Sequence, residues 1–146
     1  MSFKCGKFTP NGKTDFLPAS RRLNSVADAM LSKLGVKHFR GLHIRRTDTK
    51  HVCNSSVKRV VAKIKKQHNN GTALPLLYWT DERDPAYHTA LQRALRVLPS
   101  VQSVTNADSL LRSMPATKNN YDVFGATKRL SKRAELMTTF RRKIDC

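Results

Sequence analysis

The sequence predicts an α/β fold in which a mainly parallel sheet carries helices on both faces. Segments with apolar residues at helical spacing alternate with short apolar runs along the chain, and this alternation is typical of strands joined by helices. The run Leu74–Thr80 is almost continuously apolar, as expected of a strand that is buried on both faces. Because helix crossovers between parallel strands are right-handed, the expected domain is doubly wound and Rossmann-like. We place it at 20–146 and expect a loop or tail at 1–19, which shows no hydrophobic periodicity.

The first half of the chain contains the clearest patterns. Apolar residues recur every three or four positions within Leu23–Leu34 and Gly35 follows, which indicates an amphipathic helix with a glycine stop. The most apolar runs, Gly41–Ile44 and Leu76–Trp79, are expected to be adjacent, parallel, central strands. The expected elements of this half are a helix from the N-cap Ser20 to Gly35, a strand at Gly41–Arg45, a helix that is capped by Asn54 or Ser55 and ended by Asn69–Gly71, and a strand at Leu74–Thr80.

Capping residues mark the elements of the second half. Asp84 precedes Pro85, and this pair suits the N-cap and the first position of a helix. Gly125 interrupts the apolar spacing of the last helix, which makes that helix less favourable. The expected elements are a helix from Asp84 to Leu98, a strand at Val101–Thr105, a helical turn capped at Asn106, a loop at Ser113–Asn119, a helix over Tyr121–Ala134 and a strand at Leu136–Phe140.

The composition points to a small domain with a strong positive charge. The chain has 146 residues, with 28 Lys and Arg against 10 Asp and Glu, and a net charge of +18. This imbalance implies attraction to polyanions such as nucleic acid, acidic lipid headgroups or nucleotide phosphates. Five of the 28 basic residues lie on the helix that follows Ser55, where they form either a solvated face or a phosphate-binding surface. These residues are Lys58, Arg59, Lys63, Lys65 and Lys66.

The cysteines and the amino-terminal residues indicate in which cellular compartment the protein could fold. No cysteine belongs to a CxxC pair, so we do not expect a zinc site. In an oxidising compartment Cys53 and Cys146 are the expected disulfide and Cys5 stays free, whereas in the cytosol all three would be free thiols. Met1–Pro10 lacks the apolar core of a signal peptide, and no later stretch is long enough to span a bilayer. We therefore expect no route into the secretory pathway for this chain as given.

Polar clusters follow the apolar part of each predicted strand, at Arg45–Asp48, Thr80–Glu82, Asn106–Asp108 and Thr139–Arg141. Ligands of such sheets bind at the carboxyl ends of the strands, so these clusters predict an anion site. The adjacent guanidinium groups of Arg45 and Arg46 match phosphate or carboxylate oxygens. Alternatively, Arg46 pairs with Asp48 and Arg45 lies on the surface. Neither a glycine-rich dinucleotide fingerprint nor a P-loop is present, so side chains would have to hold any phosphate.

Two of these clusters carry a resemblance to a known family. Gly41–Asp48, with the sequence GLHIRRTD, and Leu77–Glu82, with LYWTDE, resemble the donor-binding half of the inverting, GDP-fucose-dependent fucosyltransferase superfamily. This superfamily includes the protein O-fucosyltransferases and the α-1,6-fucosyltransferases. Ala134–Arg141 is similar to its closing strand, although Arg141 stands where the family usually has a small hydroxyl residue. The resemblance covers roughly Leu31 to Cys146 and implies one half of a GT-B arrangement, whose acceptor-binding half would be supplied elsewhere.

The resemblance implies transfer of fucose from GDP-fucose to a hydroxyl group of a protein or glycan. No metal and no cofactor beyond the donor substrate are implied, and the family's usual compartment is the lumen of the endoplasmic reticulum or Golgi. Arg45 would be the catalytic residue, because its charge would stabilise the departing diphosphate. The donor would be bound by His43, Arg46, Asp48, Thr80, Asp81, Glu82, Asp108, Thr139 and Arg141.

A small basic nucleic-acid-binding module is the alternative function. The net charge of +18 favours it, but aromatic residues are not interleaved with the basic run, so the sequence shows no stacking platform for bases. We therefore expect no stable complex with nucleic acid.

Overall fold

The computed structural model describes residues 9–46, 55–68 and 72–140, and the side chains within these ranges from Arg21 onward. It contains helices and a single sheet in the order α1 (Thr9–Leu34), β1 (Arg40–Ile44), α2 (Val57–His68), β2 (Leu74–Thr80), α3 (Pro85–Arg96), β3 (Val101–Asn106), α4 (Ala107–Ser113), α5 (Asn120–Arg133) and β4 (Met137–Phe140). None of the helices in the described ranges combines the length and the apolar character that a membrane span requires.

The four strands form one parallel sheet in the order β3-β2-β1-β4. Leu42 of β1 lies opposite Tyr78 of β2 on one side and opposite Thr138 of β4 on the other. The prediction that β1 and β2 are adjacent, parallel and central is therefore confirmed. The α/β class and the parallel sheet are confirmed with it.

Helices cover both faces of the sheet, because successive residues of the central strands point to opposite sides. Leu76 and Tyr78 of β2 belong to one apolar cluster, which α2 and α3 complete. Leu77 and Trp79 belong to a second cluster, which α1, α4 and α5 complete. The near-continuous apolar run of β2 is explained by this double burial.

Two predicted boundaries are wrong. The helix α1 begins at Thr9, so the expected loop is helical from Thr9 onward and Ser20 is not its N-cap. Pro10 falls in the first turn of α1, where a proline interrupts no helical hydrogen bond. The cap of α2 is also different, because the hydroxyl of Ser56 accepts the N–H of Arg59 at 3.4 Å.

Several predictions fall on residues outside the described ranges. These are the alternative cap Asn54, the helix end at Asn69–Gly71, the site residues Asp48 and Arg141, and the cysteines Cys5, Cys53 and Cys146. The proposed disulfide pairing therefore stays a prediction.

Candidate functional site

A pocket of about 760 Å³ opens at the carboxyl edge of the sheet, which is a size typical of small-molecule sites. The ends of β1, β2 and β3 form its floor, and the starts of α3, α4 and α5 contribute to its walls. The lining residues are His43, Trp79, Thr80, Asp81, Glu82, Arg83, His88, Asn106, Asp108, Ser109, Arg112, Asn120, Phe124 and Thr127.

The structure brings half of the predicted site residues together in this pocket. The predicted residues in its lining are His43, Thr80, Asp81, Glu82 and Asp108. They lie at the ends of three different strands or shortly after them, and they converge because the carboxyl ends of parallel strands share one edge. Arg45, Arg46 and Thr139 are described but do not line this pocket.

Arg46 is held by the residues around it. Its Nε donates to Glu82 Oε1 at 2.7 Å, its Nη1 donates to the carbonyl of Ser55 at 3.1 Å, and its backbone N–H donates to Asp81 Oδ1 at 2.7 Å. The guanidinium also lies 4.1 Å from the centre of the Tyr87 ring. Arg46 therefore joins the ends of β1 and β2 to α2 and α3, and Glu82 is its carboxylate partner among the described residues.

Both carboxylate oxygens of Glu82 accept hydrogen bonds. Besides Arg46, the backbone N–H groups of Arg83 and Asp84 donate to Oε2, each at 3.1 Å. The hydrogen bond from Arg46 is the main cause that lowers the pKa of Glu82, and the N–H of Asp84 adds to it. The carboxylate thus stays ionised, and it fixes the turn that follows β2.

Arg45 and Thr139 lie beside the pocket. Arg45 is exposed, and its backbone N–H donates to the carbonyl of Phe140 at 3.3 Å, which continues the pairing of β1 with β4. Thr139 is opposite His43 in the register of these strands. The carbonyl of Thr139 accepts Lys63 Nζ at 2.9 Å, so this lysine of the basic run is used inside the fold.

His88 links the elements at the pocket edge and was not predicted from the sequence. Its Nε2 lies 2.7 Å from the carbonyl of Glu82, and since a carbonyl only accepts, Nε2 carries the proton. Asn106 Oδ1 accepts the N–H of Ser109, which turns Nδ2 toward His88 Nδ1 at 3.4 Å. Nδ1 is therefore an acceptor, and it receives the hydroxyl of Tyr78 at 2.8 Å. The network holds α3 to the ends of β2 and β3.

Tyr78 and Tyr87 keep their protons in this environment. Burial is the main cause that raises the pKa of Tyr78, and burial also raises the pKa of Tyr87 to about 12. The hydroxyl of Tyr87 donates to the Ser55 carbonyl at 2.7 Å. The Tyr78 hydroxyl ties α3 to β2, and the Tyr87 hydroxyl ties α3 to the residues that precede α2.

The residues on the α5 side of the pocket were also not predicted from the sequence. Arg112 donates through Nε to Asp108 Oδ2 at 2.9 Å and through Nη1 to Asn120 Oδ1 at 2.6 Å. These bonds fix the first turn of α5 against α4. Phe124 follows Asn120 by one helical turn and lines the pocket with 58% of its surface exposed. The helical spacing of Asn120, Phe124 and Thr127 was the available signal, but only the docking of α5 shows which face meets the pocket.

The charges that line the pocket are nearly matched. Asp81, Glu82 and Asp108 are its carboxylates. Arg46 neutralises Glu82 and Arg112 neutralises Asp108. Arg83 is exposed and lines the pocket beside them. An anionic ligand would therefore meet guanidinium groups as well as paired carboxylates.

Trp79 forms part of the floor beside His43. It is only 3% exposed, and its indole N–H has no hydrogen-bond partner among the described residues. A buried indole N–H usually has a partner. Trp79 is also the single tryptophan of the chain, so its fluorescence can be followed without a contribution from another tryptophan.

The described residues contain no group of three or more His, Cys, Asp or Glu side chains that could hold a metal ion. Comparisons of the chain with protein-family models, with curated proteins and with solved structures found no match.

Proposed function

We propose that this chain is a Rossmann-like nucleotide-sugar-binding domain, one half of a GT-B glycosyltransferase, and that its donor is GDP-fucose. The observation that carries the proposal is the pocket at the carboxyl edge. Side chains that the resemblance assigned to donor binding come from separate strand ends, and His43, Thr80, Asp81, Glu82 and Asp108 line one pocket there. A site at this edge is the usual ligand position in open parallel sheets.

Guanidinium groups at and beside the pocket could bind an anionic ligand. The carboxylates of Glu82 and Asp108 are each paired with a guanidinium, so they present less negative charge to a diphosphate. Arg83 lies in the lining and Arg45 lies just past the end of β1. The net charge of +18 adds attraction at longer range.

Arg45 has the catalytic role in this proposal. In the transfer, a hydroxyl of the acceptor forms a bond to the anomeric carbon of fucose while the bond from that carbon to the diphosphate oxygen breaks. The bonding electrons leave with GDP, so negative charge grows on the diphosphate. A guanidinium beside this group stabilises the charge more in the transition state than in the ground state. A second domain would hold the acceptor.

Calorimetric titration with GDP tests the proposal. We expect GDP to bind in preference to UDP and ADP, and Arg45→Ala to weaken GDP binding by roughly 10- to 100-fold, the effect of removing a hydrogen bond to a charged group. Arg93→Ala is the matched control, because Arg93 is an exposed arginine in the last turn of α3, near the opposite edge of the sheet. Equal losses in the two variants, or no GDP binding by the wild type, would contradict the proposal.

Nucleic-acid binding is the second candidate, and one observation favours it. Lys58, Arg59, Lys65 and Lys66 are all exposed on α2. They form a basic surface that is separate from the pocket lining. Such a surface attracts phosphate backbones without sequence preference.

A further inference from the structure

We propose that Phe124 is the stacking platform for the planar base of the bound nucleotide, so that the α5 side of the pocket is the base subsite. This inference rests on the proposed nucleotide-binding function and deepens it. The sequence resemblance assigned no residue of α5 to the site. The assignment to Phe124 comes from the position of its ring in the structure.

The exposure of Phe124 is the first observation. Most large apolar side chains with a described position are buried in the two clusters, but Phe124 is 58% exposed and lines a concave pocket. An aromatic face in such a position offers a large contact area to a flat ligand. Stacking of a base on an aromatic ring does not depend on the identity of the base.

The rigidity of α5 is the second observation. Asn119 caps the helix by accepting the N–H of Asp122. Arg112 holds Asn120 at 2.6 Å, and Arg22 of α1 holds Asp122 at 2.6 Å. The helix is therefore anchored on the sides that face α4 and α1, and binding of a ligand to Phe124 does not require the helix itself to become ordered.

Polar groups on the same helix face complete the subsite. Asn120 and Thr127 flank Phe124 at helical spacing, and both line the pocket. Because Asn120 Oδ1 accepts from Arg112, the Nδ2 group of Asn120 is its remaining donor. A heteroaromatic ring on Phe124 would find a hydrogen-bond donor at its edge. A purely apolar ligand would not use this group.

Quenching of Trp79 fluorescence, with GDP, UDP, ADP and inorganic pyrophosphate as probes, tests the inference. We expect Phe124→Ala to weaken nucleotide binding by roughly 5- to 100-fold, the usual effect of losing one base–aromatic stack. Phe124→Tyr should keep most of the affinity, and pyrophosphate binding should be the same in all variants because it has no base. Tyr121→Ala is the matched control, since Tyr121 is 82% exposed on the same helix but does not line the pocket.

The outcomes separate this inference from the proposed function. If GDP binds and Phe124→Ala binds it as tightly as the wild type, the base subsite is wrong and the donor proposal stands. If UDP or ADP binds better than GDP and depends on Phe124, the base subsite is supported and the GDP-fucose donor is wrong. If none of the nucleotides binds the wild type, both are wrong.

Discussion

At the scale of single residues, the guanidinium of Arg46 contacts a carboxylate, a carbonyl and an aromatic ring. Glu82 and Ser55 accept its hydrogen bonds, and Tyr87 lies beneath it. The side chains of Arg46 and Glu82 are only 24% and 14% exposed. Loss of one partner would leave the other with unsatisfied polar atoms in a partly buried place.

We therefore expect Arg46→Met to lower the free energy of unfolding by about 1–3 kcal/mol. Arg46→Lys should restore little of the lost stability. A lysine ammonium group cannot reproduce a planar guanidinium that donates to Glu82 and Ser55 and stacks on Tyr87 at the same time. Urea denaturation measures the effect. Arg45→Met is the control, since Arg45 is the exposed neighbour, and a loss of stability as large as that of Arg46→Met would refute the distinction between the two arginines.

Asp122 carries a buried charge that should make stability depend on pH. The hydrogen bond from Arg22 is the main cause that lowers its pKa to about 2, and the N–H of Lys118 contributes. The ordinary carboxylate pKa is about 4, so between these values the unfolded chain binds more protons than the folded chain. Asp122 thus stabilises the fold above about pH 4, and this contribution is lost as the pH falls toward 2.

We expect Arg22→Met to make the decrease of the melting temperature between pH 4 and pH 2 shallower, because the pKa of Asp122 then moves toward its unfolded value. Thermal unfolding followed by circular dichroism across this range measures it. Arg21→Met is the control, since Arg21 is the exposed neighbour of Arg22 on α1. Parallel acid profiles for Arg22→Met and the wild type would show that the ion pair does not set this dependence.

At the scale of elements, Gly125 explains how α1 and α5 approach each other. A Cβ atom at this position would lie 2.4 Å from Leu23 Cδ1 and 3.1 Å from Leu23 Cδ2. In the sequence this glycine only weakened the prediction of a helix. In the structure it leaves the space that Leu23 of α1 fills.

We expect Gly125→Ala to lower the free energy of unfolding by about 1–2 kcal/mol, because the overlap with Leu23 exceeds what alanine gains in helix propensity. In a Leu23→Ala background the same change should stabilise the protein, because the overlap is gone and the propensity gain remains. A double-mutant cycle by urea denaturation measures both signs. Destabilisation of similar size in both backgrounds would show that contact with Leu23 is not the cause.

The sequence predicted more of the fold than of the candidate site. The run Leu74–Thr80 and the cap Asp84 depend on local chemistry, and both were predicted correctly. The contact between Arg46 and Glu82 could not be predicted, because it depends on how the ends of two neighbouring strands meet. The contribution of Phe124 depends on the rotation of α5 against the sheet, which no local pattern determines.

At the scale of the whole molecule, the positive charge and the pocket are separate features. The exposed basic residues of α2 lie on a helix that packs on the cluster of Leu42 and Ile44. The α5 side of the pocket belongs to the opposite face of the sheet. Binding at the pocket and binding of polyanions to α2 can therefore be removed independently.

This separation gives the prediction that distinguishes the two function classes. Replacement of Lys58, Arg59, Lys65 and Lys66 by Gln should leave GDP affinity nearly unchanged, because these side chains are outside the pocket lining. Binding of a single-stranded DNA or RNA oligomer should be weak in the wild type, fall steeply with salt, and nearly disappear in this variant. Calorimetry with GDP, beside a salt series with the oligomer, measures both. Tight oligomer binding that depends on these residues, without detectable GDP binding, would refute the transferase proposal in favour of a nucleic-acid-binding module.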